Sequence, residues 1–282
     1  MIIAEALNYG VKVLKESGNK NPSLDAKILM KDELNYDDFQ ILNNHNISID
    51  HKNLKNFKNK IDRRKSCEPI AYIINKKDFW KNTFFVSSDT LIPRPDSEII
   101  IESLMQYIPA KEKKMNILDL GTGSGCLIIS ALQEYPNSFG KGIDISLESI
   151  RIAKKNQNLI SNKKRLVFEI ADFSTYDTSD YDIIIANPPY VSLEDKKHMN
   201  DEVLLFEPHT AIFPPNYSEF FYEKIIKNIK LKIKKNCYLF FEIDYQKTKN
   251  ISKILENNGF NVLGIENDLS NKPRCIVAYI NK

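Results

Sequence analysis

The sequence predicts an α/β protein: a doubly wound, mainly parallel sheet follows a small N-terminal helical domain, and a β-hairpin joins the two. Three observations lead to this prediction. Apolar residues recur at helical spacing over roughly the first 70 residues. Residues 68–95 are rich in aromatic and β-branched side chains, which favour extended strands. From Met115 onward, short apolar strands alternate with helical segments.

Composition and charge narrow the class of protein. Of the 282 residues, 42% are hydrophobic and 27% are charged, which is typical of a folded globular chain and excludes a mainly disordered one. No apolar run approaches the roughly 18 residues of a membrane helix, and residues 1–18 lack a cleavable signal pattern, so we expect a cytoplasmic protein without a membrane partner. The net charge of +3 is weak support for nucleic-acid binding. Because the four cysteines and four histidines are scattered, we expect reduced thiols and no metal site.

The helical domain is predicted to span residues 1–72. Its three helical segments are marked by apolar faces: Ile3, Leu7, Val11 and Leu14; then Leu24, Ile28 and Leu29 after Pro22; then Leu54, Phe57 and Ile61. Gly18 ends the first segment. The region contains no chemical motif, so its sequence fits both a solvated helical bundle and a module that recognises a partner.

The hairpin linker is predicted to span residues 73–96. Ile70, Tyr72 and Ile73 begin the extended segment, and Asn82 and residues 87–89 supply turn chemistry. The segment ends at residues 92–95, Ile-Pro-Arg-Pro, which cannot form regular helix. We expect Asp96 or Ser97 to cap the following helix, which continues to Tyr107.

Residues 97–282 form the predicted α/β domain. We expect helices at 125–134, 147–159, 220–233 and 248–257, and strands at 116–120, 142–145, 166–170, 181–186, 238–243, 260–265 and 275–280. Ligands of such folds bind at the carboxyl ends of the strands, and both informative motifs of this chain occur there.

The first motif is a glycine-rich loop, Asp119-Leu-Gly-Thr-Gly-Ser-Gly-Cys126, between a strand and a helix. A dinucleotide fingerprint would require glycine at Cys126, so that interpretation fails. Asp119 would repel a phosphate group but suits an ammonium group. A ligand with both an ammonium and a carboxylate is an amino acid, and S-adenosylmethionine carries such an end on a nucleoside. The loop therefore predicts an S-adenosylmethionine site.

Acidic residues at the next two strand ends extend this prediction. Asp144 lies at the end of the second strand, where an acid can accept both ribose hydroxyls in doubly wound folds. Asp172 and Phe173 follow the third strand, where the carboxylate would accept the adenine amine and the ring would pack on the base. Either aspartate alone is more typical of an ordinary surface carboxylate. Three strand ends in register favour the cofactor site.

The second motif, Asn187-Pro188-Pro189-Tyr190, follows the strand at 181–186. One interpretation is a rigid Pro-Pro turn with a packed tyrosine. The other is methyl transfer to an amide nitrogen, a poor nucleophile that must be held in line with the S–CH3 bond. The side-chain oxygen of Asn187 and the carbonyl of Pro188 would each accept an N–H, proline would aim that carbonyl, and Tyr190 would pack over the flat acceptor.

Both motifs resemble those of class I S-adenosylmethionine-dependent methyltransferases with an NPPY sequence, many of which methylate amide or amino nitrogens. Further segments are similar to the peptide chain release factor glutamine methyltransferases, and the likeness covers about residues 20–282. These segments are residues 68–73, Phe79-Trp80, residues 91–98 (LIPRPDSE), and Phe206-Glu207-Pro208 with Ala211.

This resemblance implies a Rossmann-like methyltransferase domain at 97–282 and a substrate-recognition role for residues 1–72. It implies methyl transfer to the side-chain N5 of the glutamine in the Gly-Gly-Gln motif of class-one release factors, which modulates translation termination. S-adenosylhomocysteine would be the product, and we expect a monomer that does not bind nucleic acid. The implied cofactor residues are Gly121, Thr122, Gly123, Ser124, Gly125, Asp144, Phe173 and Asn187; the implied substrate residues are Asn187, Pro188, Pro189 and Tyr190, with Asn187, Pro188 and Tyr190 catalytic.

Other functions remain open from the sequence. A ribosomal-protein glutamine methyltransferase or a DNA or RNA amino methyltransferase would use the same NPPY chemistry. A nucleic-acid enzyme would need a basic groove with exposed aromatic residues. A binding protein without catalysis would keep the glycine loop but would have no need of Asn187.

Overall fold

A computed structural model describes residues 1–160, 164–192 and 194–281. The chain divides into two compact units. The smaller contains Met1–Asn75 together with Asn200–Phe206, and the larger contains Lys76–Met199 and the chain from Glu207 onward. The predicted boundaries of the helical domain at residue 72 and of the hairpin linker at residue 96 also divide the chain by function. They therefore stay a prediction.

The regular elements are numbered in chain order. The helices are α1 (Ile3–Glu16), α2 (Pro22–Leu34), α3 (Asp38–Asn43), α4 (His51–Lys65), α5 (Ile70–Ile74), α6 (Ile99–Tyr107), α7 (Cys126–Glu134), α8 (Leu147–Ile160), α9 (Asp201–Phe206), α10 (Phe220–Lys232) and α11 (Thr248–Asn257). The strands are β1 (Lys76–Phe79), β2 (Asn82–Phe85), β3 (Asn116–Leu120), β4 (Phe139–Asp144), β5 (Leu166–Ile170), β6 (Ile183–Ala186), β7 (Cys237–Glu242), β8 (Asn261–Asn267) and β9 (Pro273–Ile280). Short 3-10 turns lie at Pro95–Glu98, Asp195–His198, His209–Ala211 and Tyr245–Lys247.

The smaller unit is helical, as predicted. Ile3 and Leu14 of α1 and Phe57 and Ile61 of α4 are buried in one apolar core. Gly18 follows α1 with φ +81°, so the predicted stop is correct. The short helices α3 and α5 were not expected, and α9 joins this unit from a distant part of the chain.

The predicted apolar face of α2 is correct at Leu29, which is buried, but wrong at Leu24. Leu24 is exposed, whereas Asp25 is buried beside Ala26, Leu29 and Met30. The reason is an ion pair: the Asp25 carboxylate accepts from Arg64 Nε of α4 at 2.6 Å and from the Asn19 side chain at 2.8 Å. A charged side chain can be buried when it is paired in this way. The face of α2 that packs inward therefore includes Asp25 and leaves Leu24 exposed.

The extended conformation predicted for Ile70, Tyr72 and Ile73 is also wrong. These residues belong to α5, which begins after Pro69 and ends at Asn75 in the left-handed conformation. The helical turn buries Tyr72 and Ile73, and Ile73 joins the core of the helical unit. Burial therefore overrides the strand preference of these side chains.

The hairpin itself is confirmed, over a shorter range. β1 and β2 pair antiparallel from Lys76–Phe85 to Phe79–Asn82, so Asn82 lies in a strand and the turn falls at Trp80 and Lys81. Trp80 takes a positive φ of 54° there, and its Nε1 donates to the buried Glu134 at 2.9 Å. The hairpin is thus anchored to the larger unit.

Within the described residues, the main sheet has seven strands in the order β5-β4-β3-β6-β7-β9-β8. β5, β4, β3, β6 and β7 run parallel, and β9 pairs antiparallel with both β7 and β8. The helices α6, α7 and α8 share one apolar core with the sheet, and α10 and α11 share another. This arrangement confirms the predicted doubly wound α/β fold. Every predicted strand is present: the limits of β3 and β5 are as predicted, and those of the other strands differ by a few residues.

In the part of the chain that the structure describes, no helix combines the length and the apolar composition required to cross a bilayer.

Candidate active site

A cavity of about 650 Å³ lies at the carboxyl ends of β3, β4, β5 and β6 in the larger unit. Each strand contributes one part of its wall, because the ends of parallel strands meet at one edge of a sheet. The contributing segments are Gly121 and Gly123 after β3, Asp144 to Ser146 at the end of β4, Asp172 to Ser174 after β5, and Asn187 to Pro189 after β6. Residues separated by up to 68 sequence positions are brought together here as predicted.

The glycine loop is held against β4 by its own backbone. The N–H groups of Gly121 and Thr122 both donate to the carbonyl of Ile143 at 2.9 Å. Gly125 has φ +80°, and a Cβ there would lie 2.9 Å from the ring of Phe168. At Gly123, φ is +53°, and a Cβ would meet none of the described atoms within 4 Å. Gly125 thus permits close packing, whereas Gly123 takes a conformation that most residues avoid.

Asp144 lies at the end of β4 and lines the cavity. Its two carboxylate oxygens accept from backbone N–H groups, one from Gly123 and one from Ser146, each at 2.9 Å. Burial raises the pKa of this carboxyl, and the backbone donors act against that rise. Because each carboxylate oxygen has a second lone pair, Asp144 is fixed in place and still able to accept from a bound hydroxyl.

Asp119 is fully buried at the end of β3 and is not one of the described residues that line the cavity. Its Oδ2 accepts from Thr122 Oγ1 at 2.6 Å, and its Oδ1 has no hydrogen-bond partner among the described residues. Burial, with a smaller contribution from the charge of Asp144, raises the pKa of Asp119 to about 7. An unpartnered carboxylate oxygen in the strand that leads into the glycine loop fits a site that receives a positive charge.

Aromatic rings enclose the cavity beyond β5. Phe173 lines it and meets Phe221 of α10 edge to face, with ring centroids 5.3 Å apart. Phe220 lies next to Phe221 at 5.2 Å and also lines the cavity. The Asp172 carboxylate accepts from the N–H of Ser174 at 2.8 Å. Flat apolar surfaces beside a carboxylate suit a nucleobase that stacks and donates a hydrogen bond.

The NPPY motif begins at the fourth strand end. Asn187, Pro188 and Pro189 line the cavity, and Pro188 is buried. The Asn187 Nδ2 donates to Ser97 Oγ at 3.3 Å. Asp96 or Ser97 was expected to cap the helix that continues to Tyr107, but both lie in the 3-10 turn before α6. Neither that turn nor α6 has a side-chain capping bond. The serine contacts the motif instead.

Tyr190 lies outside the set of described cavity-lining residues and packs with the core beneath the sheet. Its hydroxyl donates to Glu242 Oε1 of β7 at 3.0 Å. Burial raises the pKa of Tyr190 well above its usual value, and the Glu242 charge adds to the rise. The structure thus gives Tyr190 a supporting contact with Glu242, and its expected packing over a flat acceptor stays a prediction.

Two of the segments that resemble the release factor glutamine methyltransferases meet at the rim of the cavity. The buried Glu207 carboxylate accepts from Arg94 Nη2 at 2.6 Å and from the N–H of Ile92 at 3.1 Å. The next residue, Pro208, and Thr210 and Ala211 line the cavity. This ion pair joins the Ile-Pro-Arg-Pro segment to the Phe-Glu-Pro segment, which lie more than 100 positions apart.

The sequence-predicted residues therefore separate into two groups. Those that line the cavity are Gly121, Gly123, Asp144, Phe173, Asn187, Pro188 and Pro189, whereas Thr122, Ser124, Gly125 and Tyr190 support it through backbone, hydroxyl or packing contacts. Sequence reasoning missed the contacts of Ser97, Glu207 and Glu242. Ser97 and Glu207 lie in segments that resemble the methyltransferase family. For Glu242, the sequence shows only a single acidic residue at the end of an apolar strand.

Comparisons with known proteins show which family models, relatives and structures this chain resembles. A family model described as the PrmC N-terminal domain matches residues 5–74, and one described as a methyltransferase domain matches residues 111–270. A release factor glutamine methyltransferase of Fusobacterium nucleatum is 34% identical over 97% of this chain and 78% of its own length. A methyltransferase structure from Pyrococcus furiosus has a TM-score of 0.54, covers 81% of this chain and 100% of its own, and is 14% identical. That likeness concerns the fold alone.

A bifunctional methyltransferase of Rickettsia bellii is 33% identical over 97% of this chain, which matches 54% of the relative's length. The chain thus spans about half the length of the bifunctional relatives that it matches. The helical match, the methyltransferase match and the nearly full-length similarity together show that the chain belongs to the release factor glutamine methyltransferase family.

Proposed function

We propose that this protein transfers a methyl group from S-adenosylmethionine to the side-chain N5 of the glutamine in the Gly-Gly-Gln motif of class-one release factors. The observation that carries the proposal is the placement of Asn187 and Pro188 in the wall of a cavity formed by the glycine loop and Asp144. Family membership supports the glutamine substrate. The cytoplasmic location expected from the sequence belongs to the same proposal.

The cavity residues fit S-adenosylmethionine. The volume of about 650 Å³ is in the range of nucleoside-sized ligands. Asp144 would bind the ribose, Phe173 would pack on the adenine, and the unpartnered oxygen of Asp119 matches the positive charge of the methionine end. When bound, this cofactor supplies an activated methyl group on a sulfonium.

Asn187 and Pro188 would position the acceptor. The Asn187 amide donates to Ser97 through Nδ2, which leaves its Oδ1 to accept one N–H of the glutamine side chain. The carbonyl of Pro188 would accept the second N–H, with the proline ring restricting its backbone. Transfer forms an N–CH3 bond, breaks the S–CH3 bond and releases one amide proton. An amide nitrogen is a weak nucleophile, so its reaction depends on being held in line with the S–CH3 bond.

A methyl-transfer assay with a purified class-one release factor tests the proposal. Peptide mass spectrometry should find one added methyl group on the glutamine of Gly-Gly-Gln. A release factor with that glutamine changed to alanine is the matched control and should remain unmodified. Methylation of a ribosomal protein, DNA or RNA instead would overturn the substrate and keep the chemistry; cofactor binding without any transfer would favour the non-catalytic alternative.

A further inference from the structure

Methyl transfer to an amide requires Asn187 to present its oxygen, not its NH2 group, to the acceptor. The two ends of an asparagine amide have nearly the same shape, so their hydrogen-bond partners decide which end faces the cavity. In this protein the Nδ2 end contacts Ser97 Oγ at 3.3 Å. A hydroxyl both donates and accepts, so Ser97 alone does not fix the direction of this bond.

Glu242 supplies the missing direction. Its carboxylate is 1% exposed at the end of β7 and lies beside the Ser97 hydroxyl. Burial raises the pKa of Glu242, and the Ser97 and Tyr190 hydroxyls beside it act against that rise by favouring the ionised form. In that form the carboxylate only accepts hydrogen bonds, so the Ser97 hydroxyl turns its proton toward it. The Ser97 oxygen then presents its lone pairs to Asn187, and it accepts from Nδ2.

The same carboxylate holds the other end of the motif. Tyr190 donates to Glu242 Oε1 at 3.0 Å, and Glu242 Oε2 has no hydrogen-bond partner among the described residues. The guanidinium of Arg274 lies near but bonds to Asp268 at 3.1 Å, so it does not form the direct ion pair that would offset burial of the charge. Burying a carboxylate without such a pair is costly, which argues for a specific use.

We propose that Glu242 is a positioning residue that acts through Ser97 to orient the Asn187 amide, and through Tyr190 to hold the NPPY turn. This inference rests on the proposed function for its effect on turnover. The orientation of the amide is itself independent of the identity of the acceptor.

Glu242→Gln and Ser97→Ala test the inference. Glutamine keeps the size of the side chain and can still accept from Tyr190, but its NH2 group can donate to Ser97 and reverse the bond to Asn187. We expect kcat to fall by about 10- to 100-fold in each variant, as for other residues that orient a functional side chain, with cofactor affinity nearly unchanged. The double variant should lose little more than either single one, because both changes interrupt one chain of contacts.

Glu266→Gln is the matched control, because Glu266 also accepts from a tyrosine, Tyr107, at 2.7 Å and is not among the described cavity-lining residues. Its kcat should match that of the unmodified protein. An equal loss in this control, or unchanged kcat in Glu242→Gln and Ser97→Ala, would contradict a positioning role.

An NMR measurement separates this inference from the choice of substrate. The side-chain Nδ2 signals of Asn187, assigned by their absence in Asn187→Asp, should shift in Glu242→Gln and in Ser97→Ala, but not in Glu266→Gln. If they shift while no methyl group reaches a release factor, the proposed function fails and the orientation stands. Unchanged Nδ2 signals in both variants would overturn the orientation whatever the substrate.

Discussion

The two ends of the cavity are built in different ways. At the end where we propose that the cofactor binds, the loop at 121–125 and Asp144 are held mainly by backbone contacts between the loop and β4. At the end where we propose that the acceptor binds, Asn187 and Tyr190 contact side chains from distant segments, Ser97 and Glu242, which lie 90 and 52 positions away. Local backbone contacts thus determine the proposed cofactor end, whereas the tertiary structure determines the proposed acceptor end. Variants at the two ends should therefore change different measured quantities.

The largest effect is expected at the acceptor end. Asn187→Ala removes the side-chain oxygen that would hold the acceptor N–H, and kcat should fall by about 10²–10³, as when one preorganised hydrogen-bonding group is removed. Cofactor affinity should change little. Single-turnover kinetics and calorimetry measure the two quantities, with the surface variant Asn137→Ala as the control. Near-normal turnover would contradict the role of Asn187.

The next largest effect is expected at the proposed cofactor end, and it should change the affinity for the cofactor and not kcat. Asp144→Ala removes the carboxylate that would accept the ribose hydroxyls, and charged hydrogen bonds of this kind contribute about 1.5–3 kcal/mol each. The dissociation constant for S-adenosylmethionine should therefore rise at least about 10-fold, while kcat at saturating cofactor is largely kept. Unchanged affinity in calorimetry would refute the assignment of Asp144 to the ribose.

A glycine pair separates backbone strain from packing. Gly125→Ala places a Cβ 2.9 Å from Phe168 in a residue with φ +80°, whereas Gly18→Ala has φ +81° and none of the described atoms within 4 Å of its Cβ. We expect a loss of roughly 1–3 kcal/mol in the free energy of unfolding for Gly125→Ala, and a smaller loss for Gly18→Ala. Urea denaturation measures both. Equal losses would show that the loop requires glycine for its conformation alone.

The smallest effect concerns pH. Because burial raises the pKa of Asp119 to about 7, the carboxyl is mainly protonated below that pH and ionised above it. The affinity for the positively charged cofactor should rise a few-fold as the pH increases through about 7, with proton release on binding below that pH. Calorimetry in buffers of different ionisation enthalpy measures that proton. Asp119→Asn should lose this dependence; a variant that retained it would assign the titration to another group.

The same shift predicts the stability of the protein without cofactor. The native state keeps its proton on Asp119 to about pH 7, whereas the unfolded state loses it near the ordinary value of 3.8. The native state then binds more protons between these values, so the free energy of unfolding should decline across this range and level off above it. The decline should be absent from Asp119→Asn in denaturation experiments at several pH values.

Much of the fold could be predicted because periodicity and turn residues report local structure directly. The alternation after Met115 gave each strand of the main sheet, and the spacing of Ile3 to Leu14 gave α1. The errors occurred where distant partners decide the outcome. Asp25 is buried only because Arg64 is 2.6 Å away, and Ile70 to Ile74 are helical because their burial requires it.

The sequence by itself determined the order of the elements, the glycine loop and the placement of the two motifs at strand ends, because these follow from short-range patterns and from the parallel sheet they imply. The tertiary structure alone decided the side-chain partners: Ser97 and Glu242 behind the NPPY motif, and the Arg94–Glu207 ion pair at the rim. The physical reason is that a hydrogen bond or ion pair depends on distances of about 3 Å between side chains, and residues far apart in sequence reach such distances only once the sheet has formed.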